Sequence, residues 1–285
     1  MSGDVPVSVI VLTRNEEATL GNSLRRLERF DDVVVVDSGS TDRTAEIAVE
    51  HGARVVPFTW DGGYPKKKQW SLEHAGVRHD WVLLLDADEF PSPALVDEIA
   101  ALVRSGRVDE HGAYDVALLY RFAGRYLRHG HRVTKRSLLD RRRCAFPEVG
   151  DLDAPGIREV EGHYQPETTG TVGALRHRVV HDDRDPVASW FDRHNRYSDW
   201  EAYLRRHAAL RSDVAARRTA KGALFDRVPF KPLAFFVYAF VARRGFLDGR
   251  AGFDYAVALA TYYWQIGVKV RELERADQAV ARRAG

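Results

Sequence analysis

Apolar and polar positions alternate in blocks along the N-terminal third of the chain. Val7 to Leu12 is a continuous, largely β-branched run, and Glu16 to Arg29 then carries Leu20, Leu24 and Leu27 at helical spacing. The same pairing recurs with Val33 to Val36 before Thr44 to His51, and with Ala53 to Val56 before Lys66 to Ala75. It closes with Trp81 to Leu85 before Ser92 to Val103. After the second run, Asp37-Ser38-Gly39-Ser40-Thr41-Asp42 supplies a glycine turn and helix N-cap residues. Strands without polar alternation are buried on both faces, so these β-α units predict a mostly parallel α/β sheet flanked by helices. Ligands of such sheets bind beyond the carboxyl ends of the strands. The polar residues at those ends are Thr13, Arg14, Asn15 and Glu16, then Asp37, then Asp86 and Asp88.

From Ala113 the texture changes. Tyr114 to Phe122 and Val133 to Leu139 read as strands of a mixed extension, joined by a basic link from Gly124 to Arg132. Asp151 to Gly173 is rich in Gly, Pro and polar residues and reads as a loop, and Leu175 to His181 as a short strand. After Pro186 the pattern is helical in three segments, Val187 to Arg211, Leu233 to Arg244 and Phe253 to Glu274.

Composition adds a few limits. A chain of 285 residues with 45% hydrophobic and 29% charged residues is ordinary for a globular protein. The net charge of +2 hides an arginine-crowded stretch from Tyr203 to Arg218. No nucleic-acid partner is expected. Cys144 is the sole cysteine, which excludes an intrachain disulfide and a cysteine zinc site and fits a reducing compartment. Met1 to Pro6 lacks the pattern of a secretory signal. The apolar segments Leu233 to Ala242 and Tyr255 to Val268 fall short of the about 20 residues a spanning helix needs. They suit either a second hydrophobic core or an anionic membrane interface, with Lys231, Arg243 and Arg244 at the edges.

The chemistry concentrates at Asp86-Ala87-Asp88-Glu89. Three carboxylates at the end of a buried strand repel one another and need a cation, and an Asp-x-Asp pair is a natural oxygen-ligand site for Mg²⁺ or Mn²⁺. The plainer alternative is that Asp86 and Asp88 cap the following helix or face water. The strand-end set suits a nucleotide diphosphate. Asp37 is placed to accept from a base N–H, Thr13 to Glu16 to hold base or ribose, and an ion on Asp88 to neutralise the diphosphate. Neither a G-x-x-x-x-G-K-[ST] loop nor a G-x-G-x-x-G turn is present, so phosphate charge must be met by metal and side chains. Lys66, Lys67 and Lys68 are candidates for that, unless they are simply a solvated helix start.

Val7-Ser8-Val9-Ile10-Val11-Leu12-Thr13-Arg14-Asn15-Glu16-Glu17, Val36-Asp37-Ser38-Gly39-Ser40-Thr41-Asp42 and Leu85-Asp86-Ala87-Asp88-Glu89 resemble, in order and spacing, the three signatures of glycosyltransferase family 2. Lys67 to Leu72, Asn195-Arg196-Tyr197 with Glu201-Ala202, and Arg244 to Gly249 with Gly252-Phe253 are similar to a bacterial branch. That branch includes the lipopolysaccharide core β-1,4-glucosyltransferases; it commonly has arginine and asparagine where this chain has Lys68-Gln69-Trp70.

The resemblance implies a GT-A (Rossmann-like) fold with a helical C-terminal extension. The expected division is a nucleotide-sugar-binding and catalytic domain over residues 1–183, its acceptor side near 113–183, and a helical region over 184–285. It also implies an inverting, metal-dependent hexosyltransferase that uses a nucleotide sugar, a UDP-hexose foremost, and a lipid-linked or envelope glycan acceptor. Such an enzyme would work in the cytoplasm, with peripheral contact at the inner face of the membrane. Carried over by motif, Asp37 would contact the base, Asp86 the ribose or a metal water, and Asp88 the metal, with His181 completing the coordination. His177 rivals His181, which could instead be satisfied by Asp182 or Asp183. Inversion needs a general base on the acceptor side. Glu161 is the first choice, and Glu159, Asp151, Asp153 and His163 are its alternatives. Two other functions fit the same sheet: a sugar-nucleotide nucleotidyltransferase and a non-catalytic nucleotide-sugar-binding membrane module.

Overall fold

The computed structural model describes residues 3–150, 154, 159, 164–207 and 228–284. Two compact units make up the chain. The first comprises residues 1–121, 132–148 and 159–184, and the second residues 122–131, 149–158 and 185–285.

The first unit is built on the predicted β-α series: β1 (Val5–Thr13), α1 (Leu20–Leu24), β2 (Phe30–Asp37), α2 (Thr44–Glu50), β3 (Arg54–Pro57), α3 (Lys67–His74) and β4 (Trp81–Asp86). It continues with β5 (Glu89–Pro91), α4 (Pro93–Arg104) and β6 (Ala113–Phe122). After β7 (Arg125–Leu127), which belongs to the second unit, come β8 (Thr134–Asp140), β9 (Cys144–Ala145), β10 (Glu167–Thr168) and β11 (Val172–His181). The sheet runs β3-β2-β1-β4-β8-β6-β11-β5. Its first four strands are parallel, β8 and β5 run antiparallel to their neighbours, and β11 lies parallel to β6. This mixed sheet flanked by helices is the α/β class expected.

Alternate residues of the same strands explain why the apolar runs are unbroken. Val7, Val9 and Val11 of β1 join Val33, Val35, Leu83 and Leu85 under α1 and α4, where Leu20, Leu24, Leu95 and Ile99 meet them. Ile10, Leu12, Val34, Val36, Val82 and Leu84 feed the opposite face, against Leu72 and Ala75. Each fully buried side chain of this size contributes about 1.5–3 kcal/mol.

The first unit departs from the sequence pattern at three places. The helix expected from Glu16 to Arg29 shrinks to Leu20–Leu24, because Glu16 and Glu17 instead bond the β2–α2 loop through their backbone N–H groups. Neither Asp86 nor Asp88 caps α4. Ser92 does, its Oγ accepting from the Leu95 N–H at 3.3 Å with proline next in line. Lys66 and Lys67 are buried at the start of α3, not solvated.

The second unit is helical: α5 (Val187–Arg206), α6 (Lys231–Phe236), a wide-turn continuation Val237–Ala242, a short 3-10 turn Gly245–Asp248, and α7 (Gly249–Ala284). The expected helix from Leu233 to Arg244 thus breaks at Val237. Trp190, Trp200, Leu204, Tyr255 and Ile266 are buried. Phe122 meets the Trp190 and Tyr255 rings at 5.4 and 5.1 Å. The Lys269 ammonium reaches Asn195 Oδ1 at 2.8 Å and Asp199 at 2.5 Å, tying α7 to α5. Gly252 lets the 3-10 turn lie directly on α7, since a Cβ there would stand 2.0 Å from the Gly245 carbonyl oxygen.

Candidate active site

Strand register brings the flagged polar residues to one edge of the sheet. Thr13 stands beside Asp37, and Leu12 beside Asp86, so the ends of β1, β2 and β4 are level. The loops after β1 and β2 interlock there. Asp37 is buried and accepts from Thr13 Oγ1 at 3.0 Å, from the Ser40 N–H at 2.8 Å and from Ser40 Oγ at 2.5 Å. Asn15 adopts a left-handed conformation (φ 57°); its Oδ1 accepts from the Thr41 N–H at 2.8 Å and its N–H donates to Ser40 Oγ at 2.8 Å. The Glu16 N–H donates to Thr44 Oγ1 at 2.7 Å, and the Glu16 carboxylate accepts from Thr19 Oγ1 at 2.8 Å. Asn15 and Glu16 therefore build the loop that frames Asp37.

Lys67 lies beneath this edge. Its Nζ donates to the Thr13 carbonyl at 2.8 Å, and its backbone N–H donates to the Glu159 carbonyl at 2.7 Å. Burial pulls its pKa down to about 8 against the opposing charges of Glu159, Asp37 and Asp86. Glu159 pairs with Arg14 at 3.3 Å.

The acidic motif divides into two groups. Lys135 on β8 sits between Asp86 Oδ2 and Glu89 Oε1, 2.5 Å from each, and Glu89 Oε2 accepts from the Asp86 N–H at 3.1 Å. Burial pushes the Asp86 carboxyl up, but Lys135 and Lys68 outweigh it and hold the group below the usual carboxylate range. Glu89 goes the other way: burial raises it further than Lys135 lowers it. Lys135 is held strongly protonated by the two carboxylates in spite of burial.

Asp88 forms the second group with His181. The β11–β5 pairing sets His181 beside Glu89, and the Asp182 N–H donates to the Asp88 carbonyl at 2.9 Å. His181 Nδ1 lies 3.3 Å from Asp88 Oδ2 and 3.7 Å from Glu89 Oε1, both at ion-pair range but without hydrogen-bond alignment, so the two groups meet at this buried, unsatisfied nitrogen. Burial lowers the His181 pKa, and the Asp88 and Glu89 carboxylates together more than reverse that, raising it. The alternative partner Asp182 is taken by Arg121 at 3.2 Å and Arg184 at 2.8 Å. His177 is exposed, and its N–H donates to Glu98 on α4. Glu161, Asp151, Asp153 and His163 lie outside the described residues.

Residues 8–153 match the family described as glycosyl transferase family 2, half of the chain. The chain belongs to that family. It is 37% identical over 119 residues to an uncharacterized glycosyltransferase of Rickettsia typhi, a match that spans 41% of this chain and 40% of that relative's length. It is 26% identical over 271 residues to the lipopolysaccharide core biosynthesis glycosyltransferase LpsC of Rhizobium meliloti, covering 93% of this chain and 92% of the relative. Among solved structures it resembles glucosyl-3-phosphoglycerate synthase of Mycobacterium tuberculosis, determined with Mn²⁺, UDP and glucosyl-3-phosphoglycerate. There the identity is 30%, the coverage 41% of this chain and 44% of that one, and the TM-score 0.31.

In this family 2 chain the side chains placed to serve a divalent ion would be Asp88 and His181. Among the described residues no group of three His, Cys, Asp or Glu side chains is arranged to hold a metal. Mg²⁺ and Mn²⁺ in phosphate sites take one or two protein donors and fill the remainder with phosphate oxygens and water, so one carboxylate beside an unsatisfied imidazole nitrogen fits. Asp86 is less suited to direct ligation because Lys135 already answers its charge. Sequence reading missed Lys135. Its signal is the antiparallel register: with Leu83 paired to Leu138 and Val82 to Leu139, the β8 residue opposite Asp86 is number 135.

Proposed function

We propose that this chain is an inverting, metal-dependent glycosyltransferase that moves a hexose from a nucleotide sugar, a UDP-hexose foremost, to a lipid-linked acceptor of the cell envelope. The observation that carries the reading is the level edge of Thr13, Asp37 and Asp86, with Asp88 set against the unsatisfied nitrogen of His181. The similarity to a lipopolysaccharide core glycosyltransferase over most of both chains supports the envelope acceptor.

In this reading Asp37 recognises the base through Oδ2, which retains a lone pair beyond its bond from the Ser40 N–H, while Oδ1 is filled by the Thr13 and Ser40 hydroxyls. Asn15 and Glu16 hold that loop, and Lys67 fixes the end of β1 while lending positive potential to the diphosphate side. Asp88 and His181 hold Mg²⁺ or Mn²⁺, which when bound offsets the charge of the departing diphosphate. Asp86 turns to the ribose, its charge set by Lys135. Glu161 removes the acceptor hydroxyl proton as the new bond to the anomeric carbon forms on the face opposite the leaving diphosphate. Glu159, its described neighbour in sequence, is already paired with Arg14. The protein would act at the cytoplasmic face of the membrane, in peripheral contact with it.

The test is a thermal-shift panel of nucleotides and nucleotide sugars with and without Mn²⁺, on the wild type and on Asp88→Asn. UDP-hexose should stabilise the wild type more with Mn²⁺ than without. The variant should keep its basal melting temperature and lose the metal-dependent increment. An equal increment in both proteins removes Asp88 from the metal site.

A further inference from the structure

The strongest feature outside the site is an exposed apolar face on the second unit. Phe230 is 84% exposed, Leu233 65% and Val241 54%, and Val237, Phe246 and Leu247 are exposed beside them in sequence. Leu233, Val237 and Val241 recur every four residues and so share one side of the helical segment. Phe235 and Ala239, two positions further along, fall on the opposite side. They are buried, Phe235 against the Tyr263 ring of α7 at 4.8 Å. The segment thus does both things its sequence allows: one side makes the unit's core and the other is left to solvent.

The face continues onto α7. Phe253 packs on Phe236 and Phe240 at 5.8 and 5.6 Å while remaining exposed, and Phe240 meets Phe246 at 6.3 Å. Val257 and Trp264 follow Phe253 at spacings that return to the same side of the helix, and Trp264 is 56% exposed. Positive charge frames this surface. Lys231, Arg243 and Arg244 lie within or beside it in sequence, Arg243 and Arg244 exposed. The acids interspersed with them are engaged: Asp248 accepts from the His129 N–H at 2.8 Å, and Asp254 pairs with Arg250 at 2.9 Å. Among the described residues no helix is long and apolar enough to cross a membrane.

We infer that this face is a monotopic membrane-docking surface that takes an anionic phospholipid bilayer. Leu233, Val237, Val241 and Phe246 enter the acyl boundary, Trp264 sits at headgroup level, and Arg243 and Arg244 meet lipid phosphates. Apolar residues that protrude from a helical surface with a basic rim are the composition such an interface requires. The exposed Arg243 and Arg244 beside protruding apolar side chains complement the phosphates and acyl chains of such a bilayer together. The inference deepens the membrane-side part of the proposed function and rests on that reading only for why the protein visits a membrane.

The experiment is vesicle co-sedimentation of the full chain with phosphatidylcholine vesicles and with vesicles that also contain phosphatidylglycerol, at low and high salt. It compares the wild type, the triple variant Leu233→Ser, Val237→Ser and Val241→Ser, and the double variant Arg243→Gln with Arg244→Gln. The wild type should bind the anionic vesicles and lose affinity in high salt. The triple variant should bind roughly tenfold more weakly or worse, and the double variant should lose the preference for anionic lipid. Circular dichroism and the UDP-hexose thermal shift, both unchanged in the triple variant, separate lost docking from lost folding and from failure of the donor-site reading. Absence of vesicle binding by the wild type overturns the inference, as does equal binding by the triple variant. So does a wild-type dimer in sedimentation equilibrium that the triple variant abolishes without any vesicle binding, because a second copy then covers the face.

Discussion

Glu89 shows how far a carboxylate's role depends on its distant neighbours. In the sequence it is the third acid of a motif; in the fold it is a buried group that shares Lys135 with Asp86 and steadies the turn by accepting the Asp86 N–H. The need for a cation was legible from three carboxylates at an apolar strand end. Which cation answers which carboxylate was not, because Lys135 reaches them only through the antiparallel pairing of a strand some fifty residues later. His181 was legible as a candidate, yet its choice over His177 depends on the β11–β5 register. Lys135→Met should destabilise the protein by about 2–3 kcal/mol, less than for a fully enclosed ion pair because the Asp86 side chain is 42% exposed. Adding Glu89→Gln should recover part of that loss by removing the deeper of the two stranded charges. Urea unfolding of the three proteins measures both effects, and a single variant within about 0.5 kcal/mol of wild type means that Lys135 is not the neutralising group.

Among the elements, those governed by local pattern are where the sequence places them: β1, β2, β3, β4, α2, α3 and α4 all start and end within a few residues of expectation. Loops that exchange bonds with other loops are not. Helical spacing of leucines suggested a helix from Glu16. The β1–α1 loop instead spends its first residues on the β2–α2 loop, and Asn15 takes the left-handed conformation that makes the exchange possible. The wide turn from Val237 was hidden in the same way, since a run of apolar residues carries no mark of it. Asn15 supplies both a tolerated backbone and a side-chain acceptor for Thr41, and the two contributions separate by substitution. Asn15→Ala should cost about 1–2 kcal/mol, and Asn15→Gly less, because glycine relieves the backbone while still lacking the acceptor. Melting temperatures of the two variants decide it; a lower value for glycine than for alanine means that the left-handed backbone is not what Asn15 provides.

At the scale of the whole chain, the second unit carries a charge-sensitive packing site that composition does not announce. His131 ends the segment 122–131 and packs its ring 5.2 Å from Phe235 and 6.3 Å from Tyr238, with Nδ1 buried and unsatisfied. Burial, reinforced by the Arg243 charge, lowers its pKa from 6.5 to about 4. Above pH 6.5 the imidazole is neutral folded and unfolded, and it has no effect on stability. Between pH 6.5 and 4 the unfolded chain binds a proton that the folded chain refuses, so stability falls as the pH falls. Below pH 4 both states are protonated and the loss reaches its limit, about 3 kcal/mol. Carboxylates that titrate over the lower part of this window act equally in a variant that keeps the ring. Comparing urea unfolding of the wild type and His131→Phe from pH 7.5 to 4 therefore isolates the histidine. The difference in stability between the two should widen steadily in favour of phenylalanine below about pH 6.5. A difference that stays constant across the range places His131 in contact with solvent and removes it as a source of acid sensitivity.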